Sequence, residues 1–257
     1  MKNLVFLKFL LSFASIFVLP PVAKAMDAFE IQVYDAEINR PEKLTLETHL
    51  NNVISSGDPE YQGQISSQHL THLTFEVGLG LKPWWELGAY LQTAIAANNQ
   101  VKYAGVKLRS KFVVPRADAG NWHLGCNFEF SNVPHDFEQN PYAVEVRPIL
   151  GYQEGRIIFL VNPILGSDLS QNSDATPAFA PSSKIAFDTR QGFNLGFEYY
   201  SDLGSLAKID SLKNAIQYLF AAFDLTNGPI ELNIGIGQGL TSNSNPYVAK
   251  AILGFEF

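Results

Sequence analysis

The sequence predicts an all-β protein, a transmembrane antiparallel up-and-down β-barrel of about twelve strands. Three observations carry that expectation. Segments of roughly ten residues alternate apolar with polar or small side chains, the length that a tilted strand needs to cross a bilayer. The connections between these segments sort into short and long ones. The chain ends on Leu253-Gly254-Phe255-Glu256-Phe257, an alternation that closes on an aromatic.

Composition agrees. The chain is 46% hydrophobic, 12% aromatic and 17% charged, yet past the N-terminus no stretch approaches the roughly 18 apolar residues of a membrane helix. Residues 1–25 carry Lys2 and Lys8, an apolar run and the small-x-small ending Ala23-Lys24-Ala25, which reads as a cleaved secretory signal peptide. Without these residues, which include Lys2, Lys8 and Lys24 and no acid, 15 basic residues face 25 acidic ones. An acidic balance excludes nucleic acid as a partner. The lone Cys126 has no internal disulfide partner and sits on an apolar strand face.

The domain organisation is a signal peptide at 1–25, a periplasmic segment or plug at 26–41 and the barrel at 42–257. Strands are expected near 43–54, 68–79, 85–96, 101–114 and 122–131. They continue near 141–152, 156–166, 176–188, 193–200, 214–225, 230–237 and 247–257. In the fifth, Trp122, Leu124, Cys126, Phe128 and Phe130 share one face, and His123, Gly125, Asn127 and Glu129 the other. Pro148, Pro163, Pro177 and Pro181 each delete a ladder donor, so bulges or breaks are expected there. Links at 80–84, 153–155, 189–192 and 226–228 are tight turns. Links at 55–67, 132–140, 167–175 and 201–213 are long and polar. That asymmetry places the short turns in the periplasm and the long loops outside the cell.

This topology puts Trp85, Trp122, Tyr152, Phe193, Phe255 and Phe257 near the periplasmic strand ends, an expected interfacial girdle in contact with outer-membrane lipid. Inward parity collects the charges. Glu47, Glu76, Glu86, Lys107, Arg109, Lys111, Glu129, Glu145, Arg147, Lys184, Glu198, Glu231 and Lys250 are the expected lumen lining. The basic fourth strand lies between the acidic third and fifth, so opposed charges should pair across neighbouring strands.

Signatures of chemistry are thin. His135, Asp136 and Glu138 in one loop are the compact candidates for a hydrolase at the outer rim, with His69 and His72 next. No His spacing suits a metal, there is no Cys cluster, and no cofactor is expected. Gly235-Ile236-Gly237-Gln238-Gly239 lacks the following helix that a phosphate loop needs.

Several stretches resemble a group of little-characterised proteobacterial outer-membrane β-barrel proteins. They are 31–39 (IQVYDAEIN), 84–91 (WWELGAYL), 104–109 (AGVKLR), 147–151 (RPILG) and 196–200 (GFEYY). The chain is more loosely similar to barrels described as candidate transporters of the phenol meta-degradation pathway. The resemblance implies a barrel and a transport role, and brings no catalytic motif. The terminal Phe257 is similar to the tag that the barrel-assembly machinery reads, so the C-terminal strand is the expected contact with it.

The expected protein is therefore no enzyme, resides in the outer membrane of a Gram-negative bacterium, and passes small solutes through a charged lumen. A structural or adhesive barrel with a sealed lumen, acting through its extracellular loops, is the alternative. A rim hydrolase is a third reading.

Overall fold

The computed structural model describes residues 27–56, 64–138, 140–169, 176–225 and 230–257. The expected signal peptide at 1–25, parts of the long links at 55–67 and 167–175, and the turn at 226–228 lie outside the described residues.

The strands are β1 (Leu44–Ser55), β2 (Thr71–Lys82), β3 (Trp85–Ile95), β4 (Val101–Val113) and β5 (Trp122–Asn132). Then come β6 (Tyr142–Glu154), β7 (Ile157–Asn162), β8 (Leu165–Asp168), β9 (Ala178–Phe179) and β10 (Ser182–Asp188). The last are β11 (Phe193–Asp202), β12 (Ile216–Leu225), β13 (Ile230–Gly239) and β14 (Tyr247–Glu256). A single turn of helix, α1 (Arg116–Ala119), lies between β4 and β5. Neighbouring strands pair antiparallel. β14 pairs with β1 and β5 with β6, which closes the ring.

The fourteen strands make twelve wall strands. The lower half of β6 pairs with β7 and its upper half with β8, so β7 and β8 are one strand interrupted at Pro163. β9 and β10 are likewise one strand, interrupted at Ala180-Pro181. Pro148 was expected to break its own strand, and it does not. It sits inside a continuous β6, where its missing donor meets the gap that Pro163 leaves in the next strand. The Asn162 side chain bridges part of that gap, reaching the Pro148 carbonyl at 3.4 Å. The loop asymmetry is also less regular than expected, because Ala96–Gln100 is a tight turn on the outer side.

Outward positions are apolar and bare: Leu108 is 61% exposed, Ile236 57% and Phe197 56%. A continuous belt of such residues fits a lipid surface, since soluble monomers rarely show so large a patch. Inward, the barrel is not empty. Residues 27–40 descend through it as an extended chain, from the outer rim at Asp27 to the periplasmic rim at Arg40, then turn into β1. Three lumen clusters each include residues of this segment. Phe29 packs with Leu70, Ala94 and Ala104. Ile31 and Val33 pack with Leu160, Tyr218, Phe220 and Val248. Tyr34 and Ala36 pack with Val113 and Ile149.

Gly80 lets the segment leave. A Cβ there would press on the backbone carbonyls of Asn39 and Arg40, with the Arg40 carbonyl carbon at 2.8 Å. Backbone cannot step aside as a side-chain tip can. Gly80→Val should therefore dislodge the periplasmic end of the segment while the wall still closes. The measurement is limited proteolysis of the folded barrel. Cleavage within 27–43 should rise, and an unchanged digestion pattern would refute the close approach.

Candidate functional site: the charged lumen and its occupant

The alternation that points apolar side chains to lipid points charges into a space screened from bulk water. A buried charge must be paired, and the lumen pairs its charges closely. The Glu30 carboxylate sits near the centre, fully enclosed. Its Oε1 accepts from Arg147 Nη1 at 3.3 Å and from the Tyr34 hydroxyl at 2.5 Å, and its Oε2 accepts from Lys107 Nζ at 3.1 Å. Lys107 also pairs with Asp27 and, at 3.0 Å, with Glu129. Arg147 Nε donates to Glu145 at 2.8 Å.

A second group lies below. Arg109 Nε donates to Glu76 at 2.6 Å, and its Nη2 lies 2.8 Å from Glu86. Lys111 donates to the Glu37 carbonyl at 2.6 Å. The Tyr34 ring is faced by three cations, with Arg147 Cζ 4.3 Å, Lys111 Nζ 4.9 Å and Arg109 Cζ 5.9 Å from its centroid. A third group stands on the opposite wall. Lys184 bridges Glu198 at 3.2 Å and Asp224 at 2.7 Å, and Lys250 pairs with Glu198.

The structure turns all thirteen expected lumen residues inward or to the rim. Glu231 is the outlier in position: it stands exposed at the periplasmic mouth. Glu47 is half-buried, and its carboxylate lies 3.7 Å from His49 Nε2. The expected pairing between strands holds in kind and changes in register. Glu86 lies directly opposite Lys111, and Arg109 directly opposite Glu129. The contacts made are diagonal instead: Arg109 reaches back to Glu86 and Glu76, and Lys107 takes Glu129. Lys111 is free of Glu86 because the segment's carbonyl claims it.

Of the six girdle residues, Trp85 stacks on Phe112 with ring centroids 5.9 Å apart, and Trp122 lies 4.9 Å from Tyr152. Phe193 packs on Phe223. Phe255 is 37% and Phe257 66% exposed on the outside of the closing strand.

Among the rim-hydrolase candidates, Asp136 is engaged by a wall cation, Lys102, at 3.2 Å, and His72 lies buried in the lumen against the edge of Phe29, away from the loop. His69 lies beside Gln68 in a left-handed turn. The structure does gather one group that sequence spacing concealed. Ligand atoms of Glu47, His49 and Glu76 lie within 4.8 Å of one another, brought from two adjacent strands. Arg109 takes Glu76 Oε1 and His49 Nε2 lies 3.2 Å from Glu76 Oε2, so both oxygens of that carboxylate already have partners.

Sequence reasoning missed the apolar half of the lumen. Val53, Leu160, Tyr200, Tyr218, Phe220 and Val248 face inward and seat Ile31 and Val33. The signal was present at Tyr200, which shares inward parity with Glu198. Cavities of about 10 Å³, beside Arg147 and Tyr200, and about 70 Å³, beside Lys107 and Glu145, flank the segment. The larger is of a size for several water molecules.

No protein-family model matches the chain, and no curated protein matches it in sequence. Solved structures do match in shape. The COG4313 outer membrane channel from Pseudomonas putida F1 superposes with a TM-score of 0.57 at 12% identity, over 89% of this chain and 100% of that one. The KdgM porin gives 0.54 at 6% identity, over 84% and 99%. The NanC porin gives 0.51 at 12% identity, over 83% and 98%. Identities this low show the fold, a closed twelve-strand barrel of the outer-membrane type.

Lys107 is the cation common to Asp27, Glu30 and Glu129. Lys107→Met should leave three carboxylates facing one another and destabilise the barrel by about 3–5 kcal/mol, the cost of breaking a buried ion pair. Urea midpoints read from the heat-modifiable gel shift test this, and Lys107→Arg should recover most of the loss.

Proposed function

We propose that the protein is an outer-membrane channel for small solutes, with residues 27–40 as a removable occupant of a charged lumen. One observation carries the reading. The hydrogen-bonded wall closes through β14 and β1 with no strand pairing to the segment, so the conduit and its filling are separate structures. A twelve-strand ring is wider than the eight-strand case that side chains can fill, so withdrawal of the segment leaves a passage. Support comes from barrels of the same fold that are themselves channels and porins, and from the resemblance of the sequence to transporters. The packing of the segment into the lumen favours the second reading, a sealed barrel that acts through its outer loops.

Planar-bilayer recording on the full chain separates the two. The double variant Glu30→Gln, Tyr34→Ala removes the centre of the segment's grip and should raise the open fraction by about ten-fold. A lumen that stays silent in both wild type and variant, at every salt and voltage tried, leaves only the sealed barrel. Lys111→Glu should shift the reversal potential toward cations once current flows, because it inverts a charge on the lumen wall.

The same reading includes export by the signal peptide and insertion by the barrel-assembly machinery through the closing strand. Deletion of Phe257, exposed at that strand's end, should lower the amount of folded protein in the outer membrane. It should leave the conductance of the molecules that do assemble unchanged. A normal yield of folded barrel would remove Phe257 from that role.

A further inference from the structure

Beside the contacts to its side chains, the wall also holds the lumen segment by its main chain. Asn162 grips Tyr34 at both ends of one residue: its Oδ1 accepts from the Tyr34 N–H at 2.7 Å and its Nδ2 donates to the Tyr34 carbonyl at 3.0 Å. Asn51 donates to the Ala28 carbonyl at 3.0 Å, and Thr74 to that of Phe29 at 3.1 Å. Lys250 donates to the Ile31 carbonyl at 3.1 Å. Lys111 serves the Glu37 carbonyl and Glu86 the Asn39 N–H, each at 2.6 Å. Five of these six side chains come from the contiguous strands β14, β1, β2, β3 and β4, and Asn162 comes from β7 across the lumen. They offer an extended peptide what a neighbouring strand would offer it, from side chains instead of backbone.

A segment buried for structural reasons also needs its backbone satisfied. Among the described residues, further polar groups have no partner from the protein: both amide atoms of the fully buried Gln92, Asn51 Oδ1, Asn127 Oδ1 and both ring nitrogens of His123.

We propose that the lumen is a binding site for extended oligopeptides, with 27–40 as its tethered occupant. This rests on the channel reading and names the solute class for the same lumen. The fitting peptide is extended, carries an acidic residue for the Lys107–Arg147 pair, and places aliphatic side chains against Leu160, Phe220 and Val248. Recognition through main-chain groups makes it tolerant of sequence elsewhere. Because the tethered segment competes, a peptide in solution sees only the fraction of lumens that are empty, and its apparent affinity falls by that fraction.

The probe is a fluorescein-labelled synthetic peptide with the sequence of residues 27–40, read by fluorescence polarisation on the full-length protein in detergent micelles. Wild type should bind it weakly. Full-chain Glu30→Gln, and independently Tyr34→Ala, should bind it about ten-fold more tightly, because the internal competitor is weakened while the probe keeps both residues. Heat-modifiable gel mobility confirms that each variant is folded. A probe N-methylated at the Tyr34 position loses the donor to Asn162 and should bind about ten-fold more weakly. No polarisation change in either variant, or equal binding of the methylated probe, overturns the inference. Bilayer recordings on the same preparations keep the two readings apart. Current without peptide binding ends the peptide proposal alone, and peptide binding without current ends the channel reading alone.

Discussion

A ring of twelve tilted strands encloses more volume than its inward side chains fill, and that volume must hold either water or protein. Here it holds protein. Ile31 and Val33 occupy the space that Leu160, Phe220 and Val248 border, and Glu30 supplies the carboxylate between Lys107 and Arg147. The two requirements are linked. Packing the lumen strips water from the wall charges, so each then needs a protein partner. Glu30 meets that need from the segment's side, and Glu129 and Glu145 from the wall's. The segment is therefore both the agent that dries the lumen and part of what makes a dry lumen tolerable.

The same dependence explains the register of the ion pairs. Cross-strand neighbours directly opposite would give Lys111 to Glu86 and Arg109 to Glu129. The observed pairs run diagonally, within the reach of long side chains that lean along tilted strands. The shift frees Lys111 for the Glu37 carbonyl and lets Arg109 join Glu76 as well as Glu86. A wall paired straight across would have left the Glu37 carbonyl without Lys111.

These features were unequally legible in the sequence. Outward alternation is a local signal, and it located all twelve wall strands, because lipid imposes one rule on every outward position. Inward parity located the charged residues for the same reason. It could not give their partners, which depend on tilt and on a segment distant in sequence. The prolines show the limit well. Pro163 and Pro181 interrupt their own strands, as a missing ladder donor requires. Pro148 does not, because the missing donor happens to face an interruption in its neighbour. The apolar half of the lumen was hidden by apolar residues on both faces of β12. There Tyr218 and Phe220 face inward beside outward Leu219, and alternation fades. Residues 31–38 alternate with a slip at Val33-Tyr34, so their pattern reads as one more short strand and not as an occupant.

The occupant's grip is uneven along its length. At the periplasmic end Arg40 meets Glu256 in the open, where an ion pair contributes little. In the middle, Glu30, Ile31, Val33 and Tyr34 combine charge pairing, apolar burial and the Asn162 clamp. At the outer end Asp27 and Phe29 border the larger cavity. The tether at Pro41-Glu42-Lys43 keeps a withdrawn segment near its seat, at an effective concentration on the order of millimolar for a short linker. Competition with such a neighbour demands either a strong ligand or a partly lifted segment. The outer end has free space beside it and the tether fixes the other end, so the outer end is the one that can lift. A solute arriving from outside meets that end first, and every residue it displaces uncovers wall groups that its own main chain can take.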